Sequence, residues 1–449
     1  MPLTALLVLL GVTMVARASQ NMAQTTLPVV AADLVHLRGG PIGLVSAASG
    51  VVAVVTMSVV SSRIPVRFVR GSLVLALLVL AGSFPLVGDA RGPLSLTAGA
   101  LVLGLAGGLV FPTLLTAVGG LGGDEVARGA RDRPIALLSV ALSVGLAWGP
   151  FVEGGVLASS AGDLRAVFAW FVIGPVAGAA ALVVLGGPRR RSSRPAPVAA
   201  AARPGPGDKV RVPLLAALRD EHFQIALLGQ LLYTAPFAAV VVFGALFARH
   251  DYGLSLAGVE VAFGVFFAVS LAVRSLVAWR SPIVSKLAWF QLAAVLTVAG
   301  LALMAIGRDD AELLVAMALL GVPHGLTYPL AMGMVAEGRP SAQLASVNAH
   351  LSATVQVANL LLAPLLGVGI DAAGYRVTFG ALVAPVVVAA LLQRRIGRRD
   401  ASGESDTSGE SDISGPGDGR AGVAGGHGTI TPGGRAAPRG LWRASPWST

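Results

Sequence analysis

Twelve stretches of about twenty mostly apolar residues run through this chain, and nothing constrains its fold more. They cover approximately 3–32, 42–60, 71–88, 94–119, 134–160, 165–186, 223–247, 255–279, 286–306, 312–335, 345–368 and 377–393. A bilayer core about 30 Å thick is crossed by about twenty helical residues rising 1.5 Å each. Within that core every backbone N–H and C=O needs a partner inside the chain, so such stretches fold as helices. Gly and Pro inside them are no obstacle, because neighbouring helices satisfy the freed groups. Composition agrees: 55% of the 449 residues are hydrophobic and 12% charged, about half the charge of a soluble domain. The predicted class is an all-α integral membrane protein.

Residues 104–112 read GLAGGLVFP, and 217 positions later residues 321–329 read GVPHGLTYP. The same offset carries Arg63-x-Pro65 onto Arg280-x-Pro282, and Thr26-x-Pro28 recurs as Thr234-x-Pro236 at a slightly different spacing. Signposts repeated half a chain apart predict two related bundles of six helices in tandem. The predicted division is 1–187 for the first bundle, 188–218 for a basic Pro/Ala/Gly/Arg linker and 219–396 for the second. A low-complexity tail, predicted disordered, fills 397–449 and contains SGESDT followed by SGESDI.

The net charge of +10 could suggest a nucleic-acid binder, but its distribution does not. Most Lys and Arg fall in alternate loops, in the linker and just after the last stretch. The intervening loops carry only Arg38, Arg91, Arg165, Arg249, Arg308 and Arg376. This is the positive-inside pattern, and it predicts a multi-pass protein of the cell (plasma or inner) membrane with both termini cytoplasmic. Residues 3–18 resemble a secretory signal ending Ala16-Arg17-Ala18. No basic side chain precedes the apolar run, however, and it continues through 25–32, so we read it as the first span. Without cysteines there is no disulfide, thiolate metal site or cysteine nucleophile.

The fifth stretch carries Gly145-x-x-x-Gly149-Pro150-x-x-Glu153-Gly154. Together with the six-plus-six pattern, the basic central segment and the repeat, it resembles the major facilitator superfamily from the first stretch to the twelfth. The glycine–proline motif is similar to one that exporters of this superfamily carry there, with Glu153 where glycine is usual. Its expected role is close packing and a bend of the fifth helix. The loop between the second and third helices keeps the superfamily's basic residues, as Arg63, Arg67 and Arg70, but lacks its aspartate and glycine. Ser19 stands where many multidrug exporters have an aspartate. The resemblance implies two pseudo-symmetric six-helix bundles around a central solute path, with the third, sixth, ninth and twelfth helices as outer supports.

Several polar side chains lie deep in the apolar stretches. In the first, Arg17, Gln20, Asn21, Gln24 and Pro28 fall within about 100° of helical arc. A charge near the bilayer centre costs about 2.5–3.5 kcal/mol on insertion scales, so Arg17 either serves helix packing or meets a solute or proton. Glu153 is the other deep charge, predicted either to pair statically with Arg17 or to bind and release a proton. The seventh stretch offers Gln230, Tyr233 and Thr234; the tenth offers His324, Thr327 and Tyr328. His324 replaces Gly107 and Tyr328 replaces Phe111 of the sister half, and His324 could shuttle protons or join helices. The eleventh carries Asn348, Ser352, Gln356 and Asn359 on one face. Glu260 and Arg274 are weaker candidates, Glu260 near an end and Arg274 within reach of the surface by snorkelling.

The function expected is secondary transport: proton-coupled export of a small organic compound by a monomer, with no cofactor, metal or catalytic residue. Uptake by symport is the alternative. Lys209 and Lys286 are the only lysines and neither sits in a phosphate-binding Gly-x-x-x-x-Gly-Lys loop, so the chain does not itself bind ATP by that route. An enzyme is disfavoured, since no His-Glu-x-x-His or other ligand-spaced cluster occurs. A non-transporting sensor on the same fold is the reading from another class.

Overall fold

The computed structural model describes residues 3–60, 64, 68–120, 128–185, 212–280, 285–337, 339 and 341–407. Those residues form helices α1 (Leu3–Asp33), α2 (Gly39–Val55, continued by a π turn over Thr56–Val60), α3 (Val69–Gly88), α4 (Pro93–Gly120), α5 (Arg128–Ser159) and α6 (Leu164–Leu185). A short α7 (Leu214–Ala217) precedes α8 (Glu221–Tyr252), α9 (Leu256–Arg280), α10 (Lys286–Ile306), α11 (Asp310–Ala336), α12 (Ser341–Ala381) and α13 (Val383–Thr407). Among the described residues, eleven helical stretches are long and apolar enough to cross a membrane. One compact unit covers Met1–Ser402; the described residues beyond it, 403–407, are helical.

Helix ends follow their local chemistry. Asp220 caps α8 by accepting from the Phe223 N–H at 2.8 Å, and Gly253 ends it in the left-handed region at φ 70°. Asp309 and Glu312 form a reciprocal capping box at the start of α11. Arg70 donates to the carbonyls of Leu182 and Val183 at the C-terminal end of α6, where the helix dipole favours a cation. The expected basic loop is otherwise outside the described residues, as are Arg63 and Arg67.

The last apolar stretch, Ser346–Arg398, is 53 residues long and is broken at Gly374, where φ 81° and ψ 172° leave the helix. Val347 and Ile396, near its two ends, pack into one small core with Phe223, Phe290 and Leu326. Its middle lies elsewhere: Arg376 reaches Asp251 at 3.2 Å, at the far end of α8, and the carbonyl of Gly307 at 2.5 Å. The sequence predicted two stretches here, 345–368 and 377–393, and the glycine falls between them.

The repeat has a structural counterpart. A β-carbon on Gly104 of α4 would overlap the carbonyl oxygen of Ser49 on α2, and one on Gly321 of α11 would overlap that of Phe266 on α9. All four positions obey the same 217-residue offset. The two halves thus use the same close backbone approach between equivalent helices. Among the described residues they meet chiefly where α2 packs on α12, α5 on α9 and α1 on α8. Helices α3, α6 and α10 pack within their own halves and present exposed apolar side chains such as Trp170, Val184 and Val295.

Two boundaries differ from expectation. Residues 212–218, assigned to the linker, pack on the second half: Ala217 is buried, and the Val212 carbonyl accepts from His350 Nε2 at 2.8 Å. The final helix also continues past 396 to Thr407. The rest of the linker (186–211) and of the tail (408–449) lies outside the described residues.

Candidate functional site

One end of the bundle, where α1 turns into α2, is tied across the halves. Asp371 of α12 accepts the backbone N–H groups of Gly39 and Gly40 at 2.8 Å each, so its carboxylate sits on the unsatisfied donors that begin α2. Arg249 of α8 is ion-paired with Asp33 at the end of α1. Between these contacts and the middle of the bundle lies Glu153.

Glu153 is fully buried, and its Oε1 accepts a 2.5 Å hydrogen bond from the Thr26 hydroxyl of α1. Across the α5–α9 seam its neighbour is Glu260, which is 4% exposed. The Oε2 atom of each is buried without a partner. An ionised carboxylate is an acceptor only, so two buried side by side are held together best with a proton between them. Gly154 admits this approach: a β-carbon there would stand 3.2 Å from the Glu260 β-carbon.

Of the two alternatives for Glu153, the static pair with Arg17 does not form. The Arg17 β-carbon packs against Gly145, eight residues earlier on α5 and about 12 Å along its axis. The electrostatic neighbour of Arg17 is Arg274 of α9. Arg274 does not snorkel; it turns inward, placing Nη1 3.5 Å from Ser143 Oγ and Nη2 3.3 Å from both Nε2 and the carbonyl of His324. A guanidinium can only donate, so His324 Nε2 accepts and the ring carries its proton on Nδ1. The ring itself stacks on Phe237 with centroids 4.6 Å apart, and Phe266 lies 5.2 Å away.

A cavity of about 370 Å³ lies between the halves. Arg17, Gln20, Gln24, Ser46, Gln356 and Asn359 supply polar groups, while Leu27, Phe237, Val241 and Leu360 supply apolar wall. A larger groove of about 620 Å³ beside Val59 and Leu75 is shallow and almost wholly apolar, so the central cavity is the better candidate for a specific site.

Of the sequence-predicted residues, Arg17, Gln20, Gln24, Gln356 and Asn359 line this cavity and His324 lies behind its Phe237 wall. The Tyr233 hydroxyl instead bonds the Leu320 carbonyl at 2.9 Å, joining α8 to α11. Asn21 Nδ2, Gln230 Nε2 and Asn348 Oδ1 are buried without partners. Tyr328 is 58% exposed. Gly145 and Gly149 admit α1, through Met14, Arg17 and Met22, and Pro150 is buried in the same helix. Among the described residues no group of three His, Asp or Glu side chains converges at metal-ligand spacing.

The profile of the Major Facilitator Superfamily matches residues 9–336. None of the curated protein sequences compared matches the chain. Among solved structures, the nucleoside transporter NupG superposes with a TM-score of 0.67 at 12% identity, covering 87% of this chain and 98% of that one. A bacterial homolog of the human lysosomal transporter Spinster, in an inward-facing and unoccupied conformation, gives 0.65 at 14% identity, covering 88% and 96%. A structure of proton dependent oligopeptide transporters gives 0.65 at 14% identity, covering 88% and 99%. At such identities these likenesses concern the fold.

Proposed function

Because the chain belongs to the major facilitator superfamily, we propose that it is a secondary active transporter which exports a small organic compound in exchange for protons. In this reading it crosses the membrane twelve times. The path of Ser346–Arg398 supports the count: both ends share one small core, and the middle reaches the opposite end of α8. The positive-inside bias supports cytoplasmic termini in a cell membrane, so the tied α1–α2 end faces outward and the cavity loads from the cytoplasm. A single chain encloses the cavity, in keeping with a monomer.

The observation that carries coupling is the burial of Glu153 and Glu260 side by side across the α5–α9 seam, with the Glu260 β-carbon against Gly154. The two carboxyls come from opposite halves and lie in a seam that closes the outer end. A shared proton favours the closed seam; parting the helices hydrates each carboxyl and lets it ionise. Proton binding and outer closure are then thermodynamically linked; for exchange, solute entering from the cytoplasm must displace the proton toward the cytoplasm before the outer end reopens, and an inward proton gradient then drives the cycle. The fit of Gly145 and Gly149 against α1 is in keeping with the exporter-like motif.

The test is flux in proteoliposomes loaded with a mixture of small organic compounds under an imposed pH gradient, read by mass spectrometry. Solute movement opposite to proton movement supports export by exchange. Movement in the same direction makes the protein a symporter, and no movement makes it a sensor.

A further inference from the structure

We propose that Arg17 and Arg274 are the anion-binding pair of the central cavity, so that the compound carried is an organic anion with an apolar body. This rests on the transport reading above and names its substrate class. The two guanidinium groups come from opposite halves, Arg17 from α1 and Arg274 from α9. They flank one turn of α5, Arg17 packing against Gly145 and Arg274 bonding Ser143. No carboxylate among the described residues pairs with either. The acidic side chains of the surrounding helices are engaged elsewhere: Glu153 with Thr26 and Glu260, Asp33 with Arg249, Asp251 with Arg376, and Asp371 with the start of α2.

Two uncompensated cations in the membrane interior are costly, and groups of this kind face a water-filled path or a ligand rather than lipid. Arg17 lines the cavity, whereas Arg274 lies next to its Phe237 wall with His324 rather than in the lining, and its Nε is buried without an acceptor. His324 fixes Arg274 from behind through its Nε2 and its carbonyl, and stacks on Phe237, which forms the cavity wall. A carboxylate, sulfonate or phosphate monoester between the two forks satisfies donors from both. It also ties the halves together at the level of the solute. Leu27, Phe237, Val241 and Leu360 give the remainder of the molecule an apolar surface, and about 370 Å³ suits a small amphipathic compound.

The test is thermal stabilisation of the purified protein by benzoate, benzenesulfonate and phenyl phosphate, each against neutral benzamide at matched ionic strength. At least one anion should raise the melting temperature beyond benzamide. Arg17→Gln and Arg274→Gln should each weaken that anion's apparent affinity about tenfold or more. If a Gln variant does not fold, Arg17→Lys and Arg274→Lys keep the charge without the fork, and binding should weaken by less. The proposal is overturned if no anion exceeds benzamide, or if folded Gln variants, or the Lys variants in their place, bind as the wild type does. Flux under a pH gradient separates the two readings. Anion binding without movement contradicts transport alone, whereas movement of a neutral solute indifferent to both substitutions contradicts the anion pair alone.

Discussion

Glu153 and Glu260 are buried on facing helices across the seam between the two halves, with Thr26 as the only hydroxyl donor bonded to Glu153 among the described residues. The charged groups nearest along the flanking helices are turned to other partners: Asp33 and Arg249 to each other, Arg274 to Ser143 and His324. In the proposed reading the pair depends on a proton for its cohesion, and that dependence ties chemistry to conformation.

Glu153→Gln should abolish accumulation driven by a pH gradient while leaving solute exchange without a gradient within about twofold, because an amide supplies the donor that the proton supplied. Glu260→Gln should behave alike, although sequence alone ranks it lower. Measuring both fluxes in the same proteoliposomes checks this. Normal gradient-driven accumulation in both variants would remove the pair from coupling.

The Asp371 carboxylate on the N-terminus of α2 should hold the outer end closed. Such an interaction contributes about 0.3–2 kcal/mol, so Asp371→Asn should raise the open population several-fold. Spin labels placed at Arg91 and Arg308, exposed on opposite halves, would report a longer and broader distance distribution in the variant. An unchanged distribution would mean that the contact follows closure without favouring it.

Gly104→Val and Gly321→Val should destabilise the protein by similar amounts, each about 1–3 kcal/mol, since each drives a side chain into a carbonyl of the neighbouring helix. Gly82→Ala, where a β-carbon meets nothing within 4 Å, should be neutral or stabilising. Thermal unfolding in detergent compares the three. A large asymmetry between the first two would argue against equivalent packing in the halves.

Much of the architecture was legible because it follows from apolar length and from the repeat. Bilayer thickness sets the size of each stretch, and the glycines at 104 and 321 mark the same contact in both halves. The site was less legible. Glu260 looked peripheral because depth along one helix says nothing about which helix faces it across a seam. Arg274 looked able to snorkel because its reach toward water was visible in the sequence, whereas its partners Ser143 and His324 lie on other helices. The alternative in which Arg17 pairs with Glu153 assumed that opposite charges in one apolar region find each other. Packing of α1 on α5 instead separates them by about two turns. Asp371 gave no signal at all, since its partners are backbone N–H groups more than 300 residues away.

The chain contains no cysteine, so a single one introduced at Ser46 in the cavity wall reports access without background. A membrane-impermeant thiol reagent should label Ser46→Cys rapidly from the cytoplasmic face, in inside-out vesicles. From the outer face, in right-side-out vesicles, labelling should be slower but complete, and a cross-link between Asp33→Cys and Arg249→Cys should block it. Labelling from one face alone, however long the exposure, would contradict a cavity that opens to each side in turn.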